Sequence, residues 1–459
     1  MQIRSSILEC VGKTPLIRLN RVTKGLRCTV AAKVEYMNPG GSVKDRPALR
    51  MIEEAEKAGK LKPGGTIIEP TSGNTGTGLA MAAAVKGYRC ILVMPDKMAL
   101  EKFQLLRAYG AETVTVPTVN ANNPESYYNV ANRLTAEIPG AFQPNQFENP
   151  NNPTAHYCST GPEIWEQTDG KIDYFVAGIG TGGTISGTSK YLKEKNPNIK
   201  IIGADPEGSI YTPGAMPKSY KVEGIGEDFV PRTVDLKIVD QVIAVNDKDS
   251  FLMARRLSRE EGLLSGGSCG TAVVAALQVA ESLPADKLVV VLLPDTGRGY
   301  LSKIYNDEWM QQYGYLAQPG RGMSIGDVLA TKGEVDALLT VGRKDTVRKA
   351  IDLMRQNGIS QVPVADSEGN MVGSIQEVTA MQLVFDHVDI EHQQVGEVMG
   401  SPFPKMDRAQ EIDRGFKALT LGASAIIVTD GGKPVGVLTK SDFINYLSAI
   451  LPPAGNPGA

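Results

Sequence analysis

The fold this sequence predicts is α/β: a parallel sheet covered by helices on both faces, followed by a smaller second domain. Three observations point to it in a chain of 459 residues. Short runs of branched apolar residues alternate with amphipathic stretches up to about residue 315, the texture changes near residue 316, and a weak internal repeat follows. A chain of this length exceeds one ordinary domain.

The buried strands are expected at "RCILVMPD" (89–96), "AETVTVP" (111–117), "DYFVAGIG" (173–180), "IKIIGADPE" (199–207) and "KLVVVLLPD" (287–295). Between and before them, "PALRMIEEAEKAG" and "KMALEKFQLLRAYG" carry apolar residues at helical spacing. Strand–helix alternation of this kind means βαβ units and a parallel sheet, with ligands held where strands lead into helices.

The boundary falls at "LAQPGRGM", where turn residues replace apolar periodicity. The first domain is accordingly expected at 1–315, a linker at 316–322 and the second domain at 323–452. In the latter, "VPVADSEGNMVGSIQEVTAMQLV" resembles "AIIVTDGGKPVGVLTKSDFINYL", and Gly373 aligns with Gly436. Each copy reads as strand, turn, strand and helix, preceded by the helical stretches "DTVRKAIDLMRQNGI" and "QEIDRGFKALTLGA". Two half-modules, about 323–386 and 392–452, make one domain of pseudo-twofold symmetry, and residues 453–459 read as a flexible tail.

Composition excludes several functions. With 42% hydrophobic residues, 22% charged and a net charge of −3, nothing favours nucleic acid or an anionic membrane. No apolar run approaches the roughly 20 residues of a membrane span, and the N-terminus lacks a signal-peptide core. The five cysteines form no CxxC pair, which fits reduced thiols and a cytoplasmic setting. Three histidines without ligand spacing argue against a metal centre or a histidine triad. His156 reads as a packed structural residue, and Cys269 as a small buried filler.

The chemistry gathers in glycine-rich loops. "NPGGSVKDRPALR" sets Lys44 where a tight loop enters a helix, as a surface charge, a phosphate ligand or a covalently working amine. "EPTSGNTGTG" opens a small-residue helix whose N–H groups and hydroxyls suit a carboxylate. "GIGTGGTISG" follows a strand and suits a phosphate, while the acidic partner of a dinucleotide fingerprint is supplied only crudely by Asp205. A phosphate loop, a carboxylate loop and a helix-start lysine together fit an aldehyde cofactor with a phosphate arm better than a nucleotide.

"GSVKDR", "EPTSGNTG", "GIGTGGT" and "LLSGGSCG", in this order, resemble the cysteine-synthase and cystathionine β-synthase family of pyridoxal-phosphate enzymes, over about residues 7–315. The resemblance implies the tryptophan-synthase-β-like fold, known as fold type II, with pyridoxal 5′-phosphate joined to Lys44 as an internal aldimine. Asn74 would face the ring's 3′ oxygen, Gly180, Thr181, Gly182, Gly183 and Thr184 would hold the phosphate, and Ser268 would face the pyridine nitrogen. Thr71, Ser72, Asn74, Thr75 and Gln146 would hold the substrate carboxylate. A lysine buried beside its cofactor loses proton affinity and serves as nucleophile and base. A neutral serine at the ring nitrogen makes a weaker electron sink than a charged partner would, which suits prompt loss of a β leaving group and β-replacement through an aminoacrylate.

Two family reactions compete: serine with homocysteine giving cystathionine, and O-acetylserine with sulfide giving cysteine. "VEGIGEDFVPRTVDLKIVD" and "LLPDTGRGYLSKIYNDEWM" look more like the first, and Glu223 matches a glutamate associated there with the substrate site. Glu227 departs from the pattern, standing where many of those enzymes have tyrosine. Serine's hydroxide needs a proton to leave, from Lys44 or an ordered water. The repeat is similar to paired CBS (Bateman) regulatory domains, which commonly bind an adenosine ribose through Thr-x-x-Asp. Thr439 and Asp442 supply it in the second copy, whereas Gln376 and Thr379 stand there in the first. S-adenosylmethionine is the implied effector, a homodimer or larger homo-oligomer the implied assembly, and haem is expected to be absent. A catalytically idle adenosyl-metabolite sensor is the rival from another class.

Overall fold

Because the apolar runs are bounded by glycine, proline and aspartate, the strands stay short and stack side by side. The computed structural model describes residues 3–120, 122–214, 216–316, 322–332 and 338–450. The chain divides into two compact units, meeting in sequence between Leu316 and Ala317. Most of the linker expected at 316–322 and the tail at 453–459 lie outside the described residues.

The first unit holds two sheets. In the larger, the strands run in the order Leu16–Arg18, Thr29–Val34, Leu288–Leu293, Tyr174–Gly178, Lys200–Pro206 and Gln241–Val245. Its first pair is antiparallel and the rest are parallel. The smaller is wholly parallel, in the order Glu112–Val116, Arg89–Pro95, Thr66–Pro70 and Ala141–Phe142. Parallel strands need both faces covered, and the central ones are mostly apolar for that reason, with Lys33, Glu69 and Asp205 as buried charged exceptions. Val289, Val290 and Val291 are fully buried, alternating between two core clusters on opposite faces of the sheet.

The helix expected from Lys97 begins at Leu100, because Ala99 is extended with ψ 141°. The loop this leaves, Lys97 to Ala99, reaches the cavity described below.

In the second unit each copy builds a three-stranded sheet, Val341–Gly342, Gln361–Ala365, Met371–Gln376 and Lys405–Asp407, Ala425–Asp430, Lys433–Thr439. Sequence order and packing part company here. Ile325 and Val328, from the helix Ile325–Ala330 that opens the first copy, pack with Ile426, Val428 and Leu438 of the second. Val395, from the helix Val395–Val398 ahead of the second copy, packs with Val362, Val364 and Ile375 of the first. The aligned glycines serve this exchange. A Cβ on Gly436 would meet Leu329 at 2.6 Å, and one on Gly373 would meet Met399 Sδ at 2.4 Å.

Candidate active site

The helix Asp45–Lys57 starts directly after Lys44, and the preceding loop is tied down on all sides. The Gly41 N–H donates to Asn38 O at 2.9 Å, the Val43 N–H to Pro294 O at 2.7 Å and the Gly40 N–H to Asp45 Oδ2 at 2.5 Å. Below the helix, the Arg46 guanidinium forks onto Glu35, with bonds of 2.7 and 2.8 Å, and onto Glu163, again at 2.7 and 2.8 Å. Lys33 joins Glu163 at 2.7 Å, so a buried four-charge cluster fixes the first helical turn.

Lys44 faces a cavity of about 300 Å³ and also a small cleft beside it. Its amine has no hydrogen bond or ion pair among the described residues. Part of the side chain touches the cavity, yet enough protein surrounds it that burial depresses the amine's proton affinity, against the opposing fields of Glu227 and Asp295. An unpartnered, easily neutralised amine at a cavity wall is what a nucleophilic lysine requires.

The carboxylate loop enters at one end. Gly73, with φ +132°, turns the chain into the helix Asn74–Lys86, and Ser72, Asn74 and Thr75 line the cavity with Gln146. Thr75 Oγ1 donates to Gln146 Oε1 at 2.6 Å. Thr71 is placed differently. Its hydroxyl accepts the N–H groups of Gly73 and Gly76 at 3.0 and 3.2 Å, shaping the loop from within and leaving it off the cavity wall.

At the other end, Gly178, Gly180, Gly182, Thr184 and Ser268 line the small cleft, while Thr181 lies on the larger cavity. Side chains are excluded from this loop by contact. A Cβ on Gly182 would lie 2.3 Å from Val234, and one on Gly183 would lie 2.0 Å from Asn152 Oδ1. The free N–H groups opening the helix Gly183–Lys195 sit at this turn. Tyr211 OH and Thr233 Oγ1 donate to the carbonyls of Gly180 and Thr181 at 2.7 and 2.5 Å, locking the loop from behind. His156 backs the same loop, its Nε2 3.3 Å from Thr184 Oγ1 and its Nδ1 2.9 Å from Thr160 Oγ1. Burial holds this imidazole well below its ordinary pKa, with the positive field of Lys44 adding, so it is a neutral packing residue. Cys269 is fully buried, and burial raises its thiol well above the ordinary range.

Behind the cavity lies a network that sequence reasoning missed. Asn74 Nδ2 donates to Asp295 Oδ2 at 2.8 Å, and Tyr300 OH donates to the same oxygen at 2.6 Å. Lys102 Nζ lies 3.2 Å from that hydroxyl and 4.5 Å from the ring centre, and it pairs with Glu223 at 2.6 Å. Lys303 pairs with the other Glu223 oxygen at 2.7 Å. Burial alone pushes Glu223 upward, but the two lysines outweigh it and keep the carboxyl ionised. Only the lone "PDTGRGY" motif hinted at Asp295 and Tyr300, since their partners lie some 200 positions away in the chain.

These residues fit pyridoxal phosphate. A free amine stands beside both the Asn74 amide, whose orientation Asp295 fixes, and a glycine loop packed too tightly for a Cβ at Gly180, Gly182 or Gly183. The Ser268 hydroxyl lines the cleft without a hydrogen bond among the described residues. No group of three or more His, Cys, Asp or Glu side chains able to hold a metal occurs among the described residues.

In the second unit, Asp442 Oδ2 accepts the Thr439 N–H at 2.6 Å and its hydroxyl at 2.8 Å, and pairs with Lys332 at 3.0 Å. Gln376 and Thr379 of the first copy provide no carboxylate there.

Comparison with known proteins agrees with this geometry. The family model "Pyridoxal-phosphate dependent enzyme" matches residues 7–295, and "CBS domain" matches 325–377 and 395–449. The class is thus a pyridoxal-phosphate-dependent enzyme with paired CBS domains. Cystathionine β-synthase of Rattus norvegicus is 48% identical over 82% of this chain and 68% of its own length. That of Dictyostelium discoideum is 41% identical over 97% and 92%, and that of Saccharomyces cerevisiae 38% over 97% and 98%. Two solved structures, the O-acetylserine-dependent cystathionine β-synthase of Helicobacter pylori and a hydrogen sulfide-producing enzyme of Fusobacterium nucleatum, are each 40% identical with a TM-score of 0.63. They cover 67% and 65% of this chain and all of their own. The chain belongs to the cystathionine β-synthase family of pyridoxal-phosphate-dependent lyases.

Proposed function

We propose that the chain joins the β-carbon of L-serine to the thiol of L-homocysteine, giving L-cystathionine and water. The unpartnered Lys44 amine, held between a carboxylate loop and a glycine cradle, carries this reading. When bound, pyridoxal phosphate supplies an aldehyde that captures an amino group and a ring that accepts electrons from Cα. Lys44 would hold that aldehyde, Asn74 its 3′ oxygen, Gly180 to Thr184 its phosphate and Ser268 its ring nitrogen.

The chain's own residues account for the rest. Ser72, Thr75 and Gln146 orient the substrate carboxylate with uncharged donors, aided by the helix N-terminus behind them. That fixes Cα against the Lys44 amine, which takes its proton and later returns one. The same amine, once protonated, is the acid placed to help the serine hydroxyl depart as water. Thr71 supports the site by shaping the loop, and Glu223 by holding Lys102 and Lys303 in place.

Serine plus homocysteine, assayed beside O-acetylserine plus sulfide on one preparation, tests the reading. Turnover of the second pair alone would defeat it. O-acetylserine plus homocysteine completes the set, because the Helicobacter pylori neighbour is O-acetylserine dependent.

The regulatory part of the proposal places the adenosine ribose of S-adenosylmethionine at Thr439 and Asp442. The carboxylate there is already oriented by two bonds from Thr439, and the CBS-domain matches support an adenosyl-type ligand. We further read the enzyme as a cytoplasmic, haem-free homo-oligomer, which a Soret band in the purified protein or a monomer by light scattering would contradict. Among the described residues no helix is long and apolar enough to cross a membrane.

A further inference from the structure

Glu223 and Glu227 stand in one loop and line one cavity, but their electrostatic circumstances are opposite. Glu223 is neutralised by Lys102 and by Lys303. The Glu227 carboxylate makes no hydrogen bond or ion pair among the described residues. Around it the cavity wall carries the rings of Tyr127, Tyr128 and Tyr220, the exposed carboxylate of Asp228 and the exposed amine of Lys97. Burial, reinforced by Asp228, pushes Glu227 up to about 8, with Lys44 and Lys97 opposing.

A part-buried carboxylate without a cation is costly, and a cation entering the cavity would relieve that cost. The first substrate has no charge to spare for this. Its carboxylate goes to Ser72, Thr75 and Gln146, and its amino group to the cofactor aldehyde. The second substrate, if it is an amino acid, brings an ammonium and a carboxylate together. The wall offers a complement to each, Glu227 with its tyrosine rings for the ammonium and Lys97 for the carboxylate.

We propose that Glu227 is the specificity-determining residue for the second substrate, accepting a charge-assisted hydrogen bond from the α-ammonium of an amino-acid thiol while Lys97 faces its carboxylate. The inference rests on the reading under Proposed function and names the group that selects homocysteine over sulfide, which has neither an ammonium nor a carboxylate. It also gives a physical meaning to an acid where the family pattern has tyrosine.

The test uses the full-length, cofactor-loaded enzyme with serine saturating and four nucleophiles: homocysteine, 4-mercaptobutyrate, which lacks only the ammonium, 3-aminopropane-1-thiol, which lacks only the carboxylate, and sulfide. In Glu227→Gln, kcat/KM for homocysteine relative to 4-mercaptobutyrate falls about tenfold to a hundredfold, mainly through KM, as loss of one charged hydrogen bond predicts. Glu227→Asp keeps the charge and retains most of the ratio, so the proposal stays testable should the glutamine variant fold poorly. In Lys97→Met the corresponding ratio, homocysteine over 3-aminopropane-1-thiol, falls. An unchanged ratio in Glu227→Gln overturns the proposal. So does an equal loss with every thiol that appears with serine and vanishes with O-acetylserine, since that marks Glu227 as the proton donor to the leaving hydroxyl. A wild-type enzyme that ignores homocysteine and uses sulfide defeats the proposed function itself, which separates the two failures.

Discussion

The floor and the rim of the cavity are built on opposite terms. On the floor, charged and amide groups have close partners: Arg46 with Glu35 and Glu163, Asn74 with Asp295, and Glu223 with Lys102 and Lys303. On the rim, the Lys97, Glu227 and Asp228 side chains make no hydrogen bond or ion pair among the described residues. The floor shows how a permanent resident is held, by groups whose partners are all internal and whose geometry is set before anything binds. On the proposal above, the rim meets a transient visitor with groups left for it to complete. Lys44 lies between them, on a rigid helix start but with its amine free.

The contrast can be broken most severely at that lysine. Lys44→Ala removes both nucleophile and base, and turnover is expected to fall about a thousandfold or more, with loss of the cofactor's absorbance near the visible edge. Rate and spectrum on one sample check it.

Next comes the floor's ion cluster. Arg46→Leu leaves the buried Glu35 carboxylate without its cation, and breaking a buried pair costs about 3–5 kcal/mol. The unfolding free energy of the catalytic unit from urea titration should drop accordingly, whereas a change at exposed Asp228 should alter it by less than about 0.5 kcal/mol. A small effect at Arg46 would mean the floor is not what holds Lys44 in place.

Asp295→Asn probes orientation rather than stability. It disturbs the acceptor of the Asn74 amide and of Tyr300 OH, with an expected loss of about tenfold in kcat/KM and a shift in the cofactor's absorbance maximum. An unchanged spectrum would show that the amide needs no such guide.

The last test concerns the second unit, where no catalytic group is involved. Ligand bound only to the native state stabilises it by about 2.7 kcal/mol at a hundredfold excess over Kd. Addition of S-adenosylmethionine should therefore raise the melting temperature of the wild-type protein and leave that of Asp442→Ala unmoved.

Much of this was legible in the residue order. The central strands Arg89–Pro95, Tyr174–Gly178, Lys200–Pro206 and Leu288–Leu293 announced themselves as apolar runs, because burial on both faces leaves little polar side to alternate. Thr29–Val34 and Gln241–Val245 did not, and Glu112–Val116, expected as a buried strand, is a half-exposed sheet edge. The glycine loops showed where backbone must approach a ligand, and they stood directly after strands, where this architecture puts its sites. The pairing of Asn74 with Asp295 and Tyr300 was not legible, nor was that of Lys102 with Glu223. Each joins segments more than a hundred positions apart, and hydrogen bonds across such gaps leave no local pattern. Thr71 shows the finer limit. It shares a motif with Ser72 and Thr75, yet only the turn at Gly73 decides which hydroxyl faces the cavity.

By itself, then, the sequence determined the classes of element, their order, the ligand-bearing loops and the repeat of the second unit, because these rest on periodicity and on residues with special backbone freedom. Tertiary structure alone decided which charges were paired and which were left open, and that the two copies of the repeat exchange their leading helices. Pairing and exchange depend on distances through space, which a linear order of residues does not contain.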